Sequence, residues 1–324
     1  MEPLEFSAVD TWVRVSVSPD GSSITVVIAC YSLERLDSIE AALNSVRKQS
    51  LEPRRVVLAV DNNLPLAALA AEKFDWVTVV SNVSGRGASA TRNAGVEVVE
   101  TEFTAFLDDD ETADPDWLKE LVAPLRDPAV VGTGGKYAPL WEGGKPPWFP
   151  DDFAWVVGGA YEGMPTTTSV VRNVWSGNMA VRTAAFRAVG GFRADFGKQD
   201  GVSEPEDTDL CIRMAAGGGH WMYVPSAVIL HEVPRRRASF TFFVKRCLSE
   251  GRGKAAMRHR LGSDSAIDTE RDFVRQAALR ALGNVASFKS PRIRQGAAAL
   301  TGLAYAGVGF ISVLLRRRAT EERS

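Results

Sequence analysis

The sequence predicts an α/β protein built around a mostly parallel, doubly wound sheet. Short runs of β-branched and other apolar residues alternate along the chain with segments in which apolar residues recur at helical spacing. Each strand-like run is almost continuously apolar, as expected of a strand covered on both faces of a parallel sheet. Polar clusters directly follow several of these runs, at the edge where ligands bind in such sheets. A basic, helical C-terminal extension is expected beyond this domain.

The elements follow one another in the order that this fold requires. The first strand is predicted at 24–29, where the run ITVVIA follows a Gly-Ser-Ser turn. Further strands are predicted at 55–60, 76–80, 103–107 and 221–231, and helices at 36–46, 65–73, 88–99, 183–189, 206–216 and 240–258. Residues 12–17 alternate and are predicted to add an edge strand. Residues 134–172, rich in proline, glycine and aromatic residues, are predicted to form a long irregular segment with a functional role.

Three segments are expected along the chain: an N-terminal extension over 1–22, a main domain over 23–260 and a helical tail over 261–324. Within the tail, residues 297–315 carry no charge and are followed by three arginines. Nineteen residues are just enough to span a bilayer as a helix at ~1.5 Å per residue. We predict that this segment contacts a membrane. Its many alanines and glycines also fit a buried helix, or one lying in the membrane interface.

Composition and charge narrow the function classes. The 324 residues are 45% hydrophobic and 24% charged, which excludes disordered, collagen-like and multi-span membrane proteins. Residues 1–234 carry 19 Lys/Arg against 33 Asp/Glu, and residues 235–324 carry 19 against 7. This split predicts an acidic body and a basic tail with an anionic partner, such as a phosphate or a membrane surface. Three scattered cysteines predict a cytoplasmic protein with reduced thiols, and the first ten residues predict no signal peptide.

An acidic run follows the fourth predicted strand. Asp108, Asp109 and Asp110 directly end the apolar run FTAFL, at the edge of the sheet where ligands bind. Carboxylates this close repel one another unless a cation joins them, and Mg²⁺ and Mn²⁺ prefer oxygen ligands. A solvated turn that caps the following helix would use the same residues. The position at a strand end favours a metal site.

A glycine-rich turn precedes this run by one helix and one strand. It consists of Gly85, Arg86 and Gly87 and leads into a predicted helix that contains Arg92. The glycines alone indicate only a turn. Arginines beside a helix N-terminus favour a phosphate ligand, so this turn is a candidate phosphate-binding element.

Acidic residues also open the helix predicted at 206–216. Glu206 and Asp207 lie among four carboxylates, more than a favourable interaction with the helix dipole explains. A carboxylate beside an acceptor hydroxyl is suited to act as a general base. His231 ends an apolar strand, and its spacing leaves open whether it is a metal ligand or a structural residue.

Taken together, these motifs resemble the inverting nucleotide-sugar glycosyltransferases of family 2, which have the GT-A fold. The resemblance spans about residues 24–260. It rests on an ordered set of segments: the first strand and helix with Tyr31, then Asp61, Gly85–Gly95, the D-x-D motif at Asp108–Asp110, Trp175–Met179, Val189–Phe192, Glu206-Asp207 and His231.

The resemblance implies a role for each matched residue. Seven residues would bind the nucleoside diphosphate sugar: Ala29, Tyr31, Asp61, Arg86, Arg92, Asp108 and Asp109. Asp110 and His231 would hold Mn²⁺ or Mg²⁺. Asp207 would be the catalytic base, with Glu206 and Asp209 as the alternatives. The implied reaction is a metal-assisted single displacement that inverts configuration at the anomeric carbon, as the base takes a proton from the acceptor hydroxyl.

Two groups of residues are candidates for contact with the acceptor. Trp175 and Asn178 lie in the middle segment of the motif set. Arg235, Arg236 and Arg237 follow closely after His231 and fit either a clamp for a phosphorylated acceptor or a solvated helix. A polyprenyl-phosphate or lipid-linked sugar would use both these arginines and the apolar segment 297–315. Nucleic acid is not expected as a partner, because no nucleic-acid motif accompanies the basic charge.

Three other functions share part of this sequence pattern. A tailoring glycosyltransferase acting on a soluble small molecule would share the site and would need no membrane contact. A nucleotidyltransferase acting on a sugar phosphate would share the sheet and the metal carboxylates, but would need a glycine-rich loop after the first strand, where Tyr31–Arg35 has no glycine. A carbohydrate-binding module would explain the tryptophans but not the aspartates at several strand ends.

Overall fold

A computed structural model describes most of the chain. The described residues are 23–83, 85–193, 198–199, 202–203, 206–261, 268–287 and 290–321. The predicted N-terminal extension over 1–22, with its edge strand over 12–17, lies outside these residues.

Strands and helices alternate through the first half of the chain, as the sequence predicts. The strands are β1 (Ile24–Cys30), β2 (Arg55–Asp61), β3 (Thr78–Asn82), β4 (Phe103–Asp108), β5 (Glu111–Ala113), β6 (Val130–Trp141), β7 (Ser169–Val171), β8 (Asn178–Arg182), β9 (Lys198–Gln199), β10 (Val202–Ser203) and β11 (His220–Val233). The helices are α1 (Leu36–Arg47), α2 (Leu64–Lys73), α3 (Ala88–Glu97), α4 (Trp117–Val122), α5 (Thr183–Ala188), α6 (Glu206–Ala215), α7 (Phe240–Leu261), α8 (Asp268–Ala286) and α9 (Ser290–Glu321).

The main sheet has the order β3-β2-β1-β4-β8-β6-β11-β5, with β7 also paired to β11. Strands β1 to β4 are parallel, which agrees with the predicted arrangement. Strand β8 runs antiparallel between β4 and β6, so the second half of the sheet is mixed.

Helices cover both faces of the sheet, and each face has its own apolar core. Helices α1, α2 and α4 pack on one face through residues such as Ile39, Leu66 and Trp117. Helices α3, α5 and α6 pack on the other through residues such as Val96, Phe186 and Leu210. Burying apolar surface on both sides is what allows the strands to be almost continuously apolar.

The segment predicted to be irregular begins with a strand. Residues 134–141 belong to β6, because backbone pairing with β11 holds this proline-containing stretch extended. Irregular structure follows the strand. A short 3₁₀ helix over Asp151–Val157 then brings its aromatic residues into a third apolar cluster.

The C-terminal region is helical, as predicted, and packs against the main domain. Helix α7 lies against both α9 and the 3₁₀ helix Asp151–Val157. The rings of Phe153 and Phe243 pack at a tilted angle with a centroid distance of 5.3 Å, and the buried carboxylate of Asp152 pairs with Arg280 of α8. The predicted boundary at residue 260 therefore falls at the end of a helix that the main domain and the tail share.

Candidate active site

The carboxyl ends of the parallel strands meet at one edge, and the predicted donor-site residues gather there. In the register of β1 and β4, Ala29 is paired with Asp108, and Asp61 ends the neighbouring strand β2. Tyr31 follows β1 and is exposed at the same edge. The pairing of β1 with β2 and β4 therefore brings Ala29, Asp61 and Asp108 to one edge of the sheet, as the sequence predicts.

Strand β5 joins the acidic run to the predicted histidine ligand. It pairs antiparallel with β11 so that Glu111 lies opposite His231. Asp110, Glu111 and His231 each offer a ligand atom, and these atoms all lie within 4.8 Å of one another. The sequence analysis missed Glu111, because only the β5–β11 register shows that it lies opposite the histidine.

The residues present at this cluster fit a divalent cation. Two carboxylates and one imidazole suit ions such as Mn²⁺, which accept both oxygen and nitrogen ligands. His231 is buried, and its Nε2 atom lies 3.7 Å from Asp110 Oδ2, so this nitrogen faces the acidic run. Its Nδ1 atom lies against Gly158 and has no hydrogen-bond partner among the described residues.

The acidic run carries carboxylates of very different acidity. Burial would raise the pKa of Asp110, but hydrogen bonding and charge from His231, with Arg35 and Arg237, lower it to about 2. Burial and two neighbouring aspartates raise the pKa of Glu111 well above its usual value. Burial likewise raises the pKa of Asp109 to about 7, against the attraction of Arg35. A cation bound beside this run would therefore meet Asp110 in its charged form.

Arg35 is a second residue that the sequence analysis missed. Its guanidinium forms ion pairs with Asp109 Oδ1 at 2.9 Å and with Asp110 Oδ2 at 2.5 Å, and it lies over the ring of Tyr31 at 5.4 Å. No motif marks this arginine. Its role arises because the chain turns from β1 into α1 directly above the acidic run.

Arg92 and the glycine-rich turn lie beside the acidic run. Arg92 is buried and ion-paired with Asp108, and this pairing outweighs burial and raises the pKa of the arginine. The backbone N–H of Gly87 donates to Asp61 Oδ2 at 2.9 Å, which holds the turn at the end of β2. Arg86, by contrast, is exposed to solvent.

The predicted catalytic pair lies in the first turn of α6. Asp207 Oδ1 accepts a hydrogen bond from the backbone N–H of Thr208 at 2.7 Å. Burial and the adjacent Glu206 raise the pKa of Asp207 to about 7, opposed by Thr208, Lys254 and Arg92. A carboxyl group with a pKa near neutrality is well matched to proton transfer at physiological pH.

The structure corrects the prediction that Asn178 contacts the acceptor. Asn178 is fully buried, and its Oδ1 atom accepts from the Trp117 indole N–H at 2.7 Å. Its Nδ2 atom donates to the carbonyls of Lys136 and Ala227, each at 3.2 Å. Asn178 therefore holds β8 between neighbouring elements of the sheet. The signal was ambiguous, because an amide beside a glycine fits a binding site and a buried network equally well.

The other predicted acceptor residues lie at different distances from the cluster of Asp110, Glu111 and His231. Trp175 is half-buried and packs edge-to-face on Tyr137 at a centroid distance of 5.1 Å. Arg237 reaches Asp110 Oδ2 at 3.9 Å and His231 Nε2 at 3.4 Å. Arg235 is exposed and pairs with Glu142, and Arg236 is also exposed. Of the three arginines, Arg237 is the one that the structure places against the cluster.

Comparisons with known proteins show what this chain is similar to. The model of glycosyl transferase family 2 matches residues 25–190. A glucosyl-dolichyl phosphate glucuronosyltransferase of Haloferax volcanii is 32% identical over 240 residues, which cover 72% of this chain and 77% of the relative. A pre-mycofactocin glycosyltransferase of Mycobacterium tuberculosis is 30% identical over 190 residues, 56% of this chain and 38% of the relative.

A solved structure shares the fold at low sequence identity. A mannosyltransferase from Pyrobaculum calidifontis, in complex with GDP-Man and Mn²⁺, superposes with a TM-score of 0.57. The superposition covers 91% of this chain and 90% of that protein, at 18% identity.

We predict that Asp110→Asn weakens Mn²⁺ binding by at least about tenfold, since changes outside the ligand shell alone cost that much in other metal sites. The amide keeps the shape of the side chain but loses its charge. The affinity can be measured by titrating the purified protein with Mn²⁺ and following the free ion by electron paramagnetic resonance.

Asp75→Asn is the matched control, because Asp75 is exposed and lies between α2 and β3, away from the cluster. It should bind Mn²⁺ like the wild-type protein. Equal affinity of Asp110→Asn and the wild type would show that Asp110 is not a ligand.

We predict that Asn178→Ala lowers the free energy of unfolding by about 3 kcal/mol or more, because it leaves the Trp117 indole and two buried carbonyls without a partner. Urea unfolding of the purified variant measures this loss. Asn173→Ala serves as the control, since Asn173 is half-buried and accepts a bond from Arg172. A variant of normal stability that instead binds the acceptor poorly would restore Asn178 to the acceptor site.

Proposed function

This chain belongs to glycosyl transferase family 2 and has the GT-A fold, and we propose that it transfers a sugar from a nucleoside diphosphate sugar to a lipid-linked acceptor with the help of a divalent cation. One observation carries the proposal. Among the described residues, five buried side-chain polar atoms lack a hydrogen-bond partner, and four of them belong to residues at this one edge: Asp61 Oδ1, Arg92 Nε and Nη1, and Asp109 Oδ2. The fifth, His231 Nδ1, lies on the Gly158 side of the imidazole. Buried groups are normally satisfied, so such a concentration marks a surface built for a polar ligand.

The donor is assigned to the edge formed by β1, β2 and α3. Asp61 presents a free acceptor oxygen at the end of β2, suited to a donor group on the base or ribose. Tyr31 offers an exposed ring on which a base can stack. Arg92 has two N–H groups to spare after pairing with Asp108, and Arg86 lies exposed in the turn before α3. These groups together suit a nucleotide with its diphosphate.

Asp110, Glu111 and His231 would hold the cation between this donor edge and the rest of the site. A divalent ion bound there would neutralise the negative charge that builds up on the leaving diphosphate. The chain adds its own positive charge at the same place. Arg35 and Arg237 both reach Asp110, and both are long enough to turn towards a phosphate oxygen. The mannosyltransferase of the same fold is a complex with Mn²⁺, which supports this ion as the first to test.

Asp207 is proposed as the base that takes the proton from the acceptor hydroxyl. Its position in the first turn of α6 is fixed by the Thr208 N–H, and its raised pKa gives it affinity for a proton at neutral pH. Direct attack of the activated hydroxyl on the anomeric carbon inverts its configuration. Glu206, one residue earlier, is the alternative base.

The lipid-linked acceptor is supported by the relative from Haloferax volcanii, whose name gives a dolichyl phosphate carrier, and by the tail. Within the described part of the chain, one helix, Ser290–Arg316, is long and apolar enough to cross a membrane. In the order of the chain, Arg236 and Arg237 follow His231 and precede α7, and their charge is suited to a carrier phosphate. Contact of the protein with the cytoplasmic membrane is part of the same proposal.

The proposal is tested by incubating the purified protein with a panel of nucleotide sugars and Mn²⁺, with three acceptors in parallel. These are a polyprenyl phosphate, a polyprenyl-phosphate sugar and a water-soluble sugar. We expect release of nucleoside diphosphate together with a glycosylated lipid, and none in excess chelator. Efficient transfer to the soluble sugar alone would reject the lipid-linked acceptor, and full turnover in chelator would reject the cation.

We predict that Asp207→Asn retains nucleotide-sugar affinity but lowers kcat by ~10²–10⁴-fold, the usual contribution of a general base. The wild-type rate should rise as pH increases through about 7, because Asp207 accepts a proton only after losing its own. Steady-state kinetics at a series of pH values, with nucleotide-sugar binding followed separately, measures both effects.

Asp109→Asn identifies the titrating group, because the pKa of Asp109 is also raised to about 7. The rise in rate near pH 7 should persist in this variant, whatever its effect on the absolute rate. If Glu206→Gln loses transfer while Asp207→Asn turns over normally, the base is Glu206.

A further inference from the structure

Helix α9 has a face that is locked to the main domain. Gly251 of α7 lies directly against the backbone carbonyl of Ala306, and Gly309 of α9 lies against that of Leu248. At Gly302, an added Cβ atom would come within 2.7 Å of Phe153. Backbone contacts this close require glycine at each crossing, so this face of α9 is fixed in place.

The opposite face of α9 is apolar and exposed. Val308, Ile311 and Leu315 are 60%, 55% and 59% exposed and repeat at helical spacing. Helix α8 also carries exposed apolar residues, Leu279 and Leu282, which lie within one turn of Ala281, where α8 contacts Gly296 near the start of α9. We call the exposed apolar residues of α8 and α9 the docking face: Leu279, Leu282, Val308, Ile311 and Leu315.

Arginines flank this face at both ends of α9. Arg292 and Arg294 stand in its first turns, and Arg316 follows its last apolar residue. An apolar stripe with cationic residues at its ends complements a bilayer with anionic headgroups, in which apolar side chains enter the acyl region and arginines meet phosphates. A protein partner would require no such pattern.

Helix α7 rules out a membrane-spanning orientation of α9. Arg246, Glu250 and Lys254 form a ladder of ion pairs along α7, with N–O distances of 3.2 and 3.6 Å. Glu250 directly precedes Gly251, which touches the middle of α9. If α9 crossed the bilayer, this charged ladder would enter the hydrocarbon, where charged side chains are strongly unfavourable. The helix therefore remains in the plane of the membrane surface.

We infer that the docking face lies flat in the surface of an anionic bilayer, with α9 parallel to the membrane rather than across it. This inference rests on the proposed lipid-linked acceptor and specifies how the enzyme approaches it. Helix α7 then separates the membrane surface from the active site. Its Lys254 lies close enough to Asp207 to influence the charge of that carboxylate. Since packed helices lie about 8–10 Å apart, the site would sit one helix layer above the lipid headgroups.

The first test is sedimentation of the full chain with vesicles of phosphatidylcholine alone or mixed with phosphatidylglycerol, without nucleotide sugar or metal. We expect binding to the anionic vesicles that weakens with salt. The double variant Val308→Asn with Ile311→Asn should lower the bound fraction by about tenfold or more, because each side chain loses its transfer to an apolar phase. The control is Leu69→Asn with Val170→Asn, two exposed apolar residues elsewhere, which should bind like the wild type.

The second test measures how deeply α9 lies in the bilayer of the vesicle. Cysteine substitutions at Ala297, Val308 and Leu315 carry a nitroxide label, and oxygen accessibility reports the depth of each label in the vesicle. The native cysteines are buried and should remain unlabelled. A helix lying in the surface gives three similar, shallow depths. A deep label at Val308 between two shallow ones would mean that α9 spans the bilayer and would overturn the inference.

Other outcomes separate this inference from the proposed function. Absence of vesicle binding, with a dimer in light scattering that the double variant dissociates, would assign the docking face to a second copy of the chain. Asp207→Asn should still bind vesicles, because docking does not require catalysis. If vesicles are bound with shallow labels but no lipid is glycosylated, the docking stands and the proposed acceptor is wrong.

Discussion

Four consecutive carboxylates, Asp108 to Glu111, share one sheet edge, and their mutual repulsion shapes the whole site. Positive charge arrives from every element packed around them. Arg35 comes from the turn before α1, Arg92 from α3, and Arg237 from the segment that follows β11, while His231 lies within β11 itself. Buried carboxylates at this density are stable only while positively charged side chains pair with them. Each element that supplies such a side chain must therefore keep its position. The same arrangement provides the negative cluster that a cation would bind and the positive groups that a diphosphate would meet.

The parts of this molecule that depend on local pattern were predictable from its sequence. Apolar runs located β1 to β4, because a buried parallel strand must be apolar on both faces. The same rule placed Tyr31, Asp61 and Asp108 at one edge, since parallel strands end together. The segment over 134–141 was missed as a strand because its two glycines and its proline, Pro139, resemble a loop. Pairing with residues of β11 that come about 90 positions later along the chain keeps it extended.

The parts that depend on distant register could not be predicted in this way. Glu111 meets His231 only because β5 pairs with β11, and three-residue strands leave almost no signal in a sequence. Arg35 lies in an ordinary helix start, so nothing distinguishes it from a solvated arginine until its contacts with Asp109 and Asp110 are seen. Asn178 shows the reverse error. Its motif suggested a binding residue, whereas its three hydrogen bonds join β8 to helix α4 and to the backbone of neighbouring strands.

The tail and the site are coupled through one layer of structure, so removing the tail would not leave the site untouched. Gly158 has a φ of 71° and lies so close to His231 that an added Cβ atom would come within 2.7 Å of the imidazole. The 3₁₀ helix Asp151–Val157 that sets this glycine is held from the other side by α9 at Gly302 and by Arg280 of α8. The C-terminal helices thus help to fix the histidine beside Asp110. The C-terminal helices therefore carry the docking face on one side and, through the 3₁₀ helix Asp151–Val157, support His231 on the other.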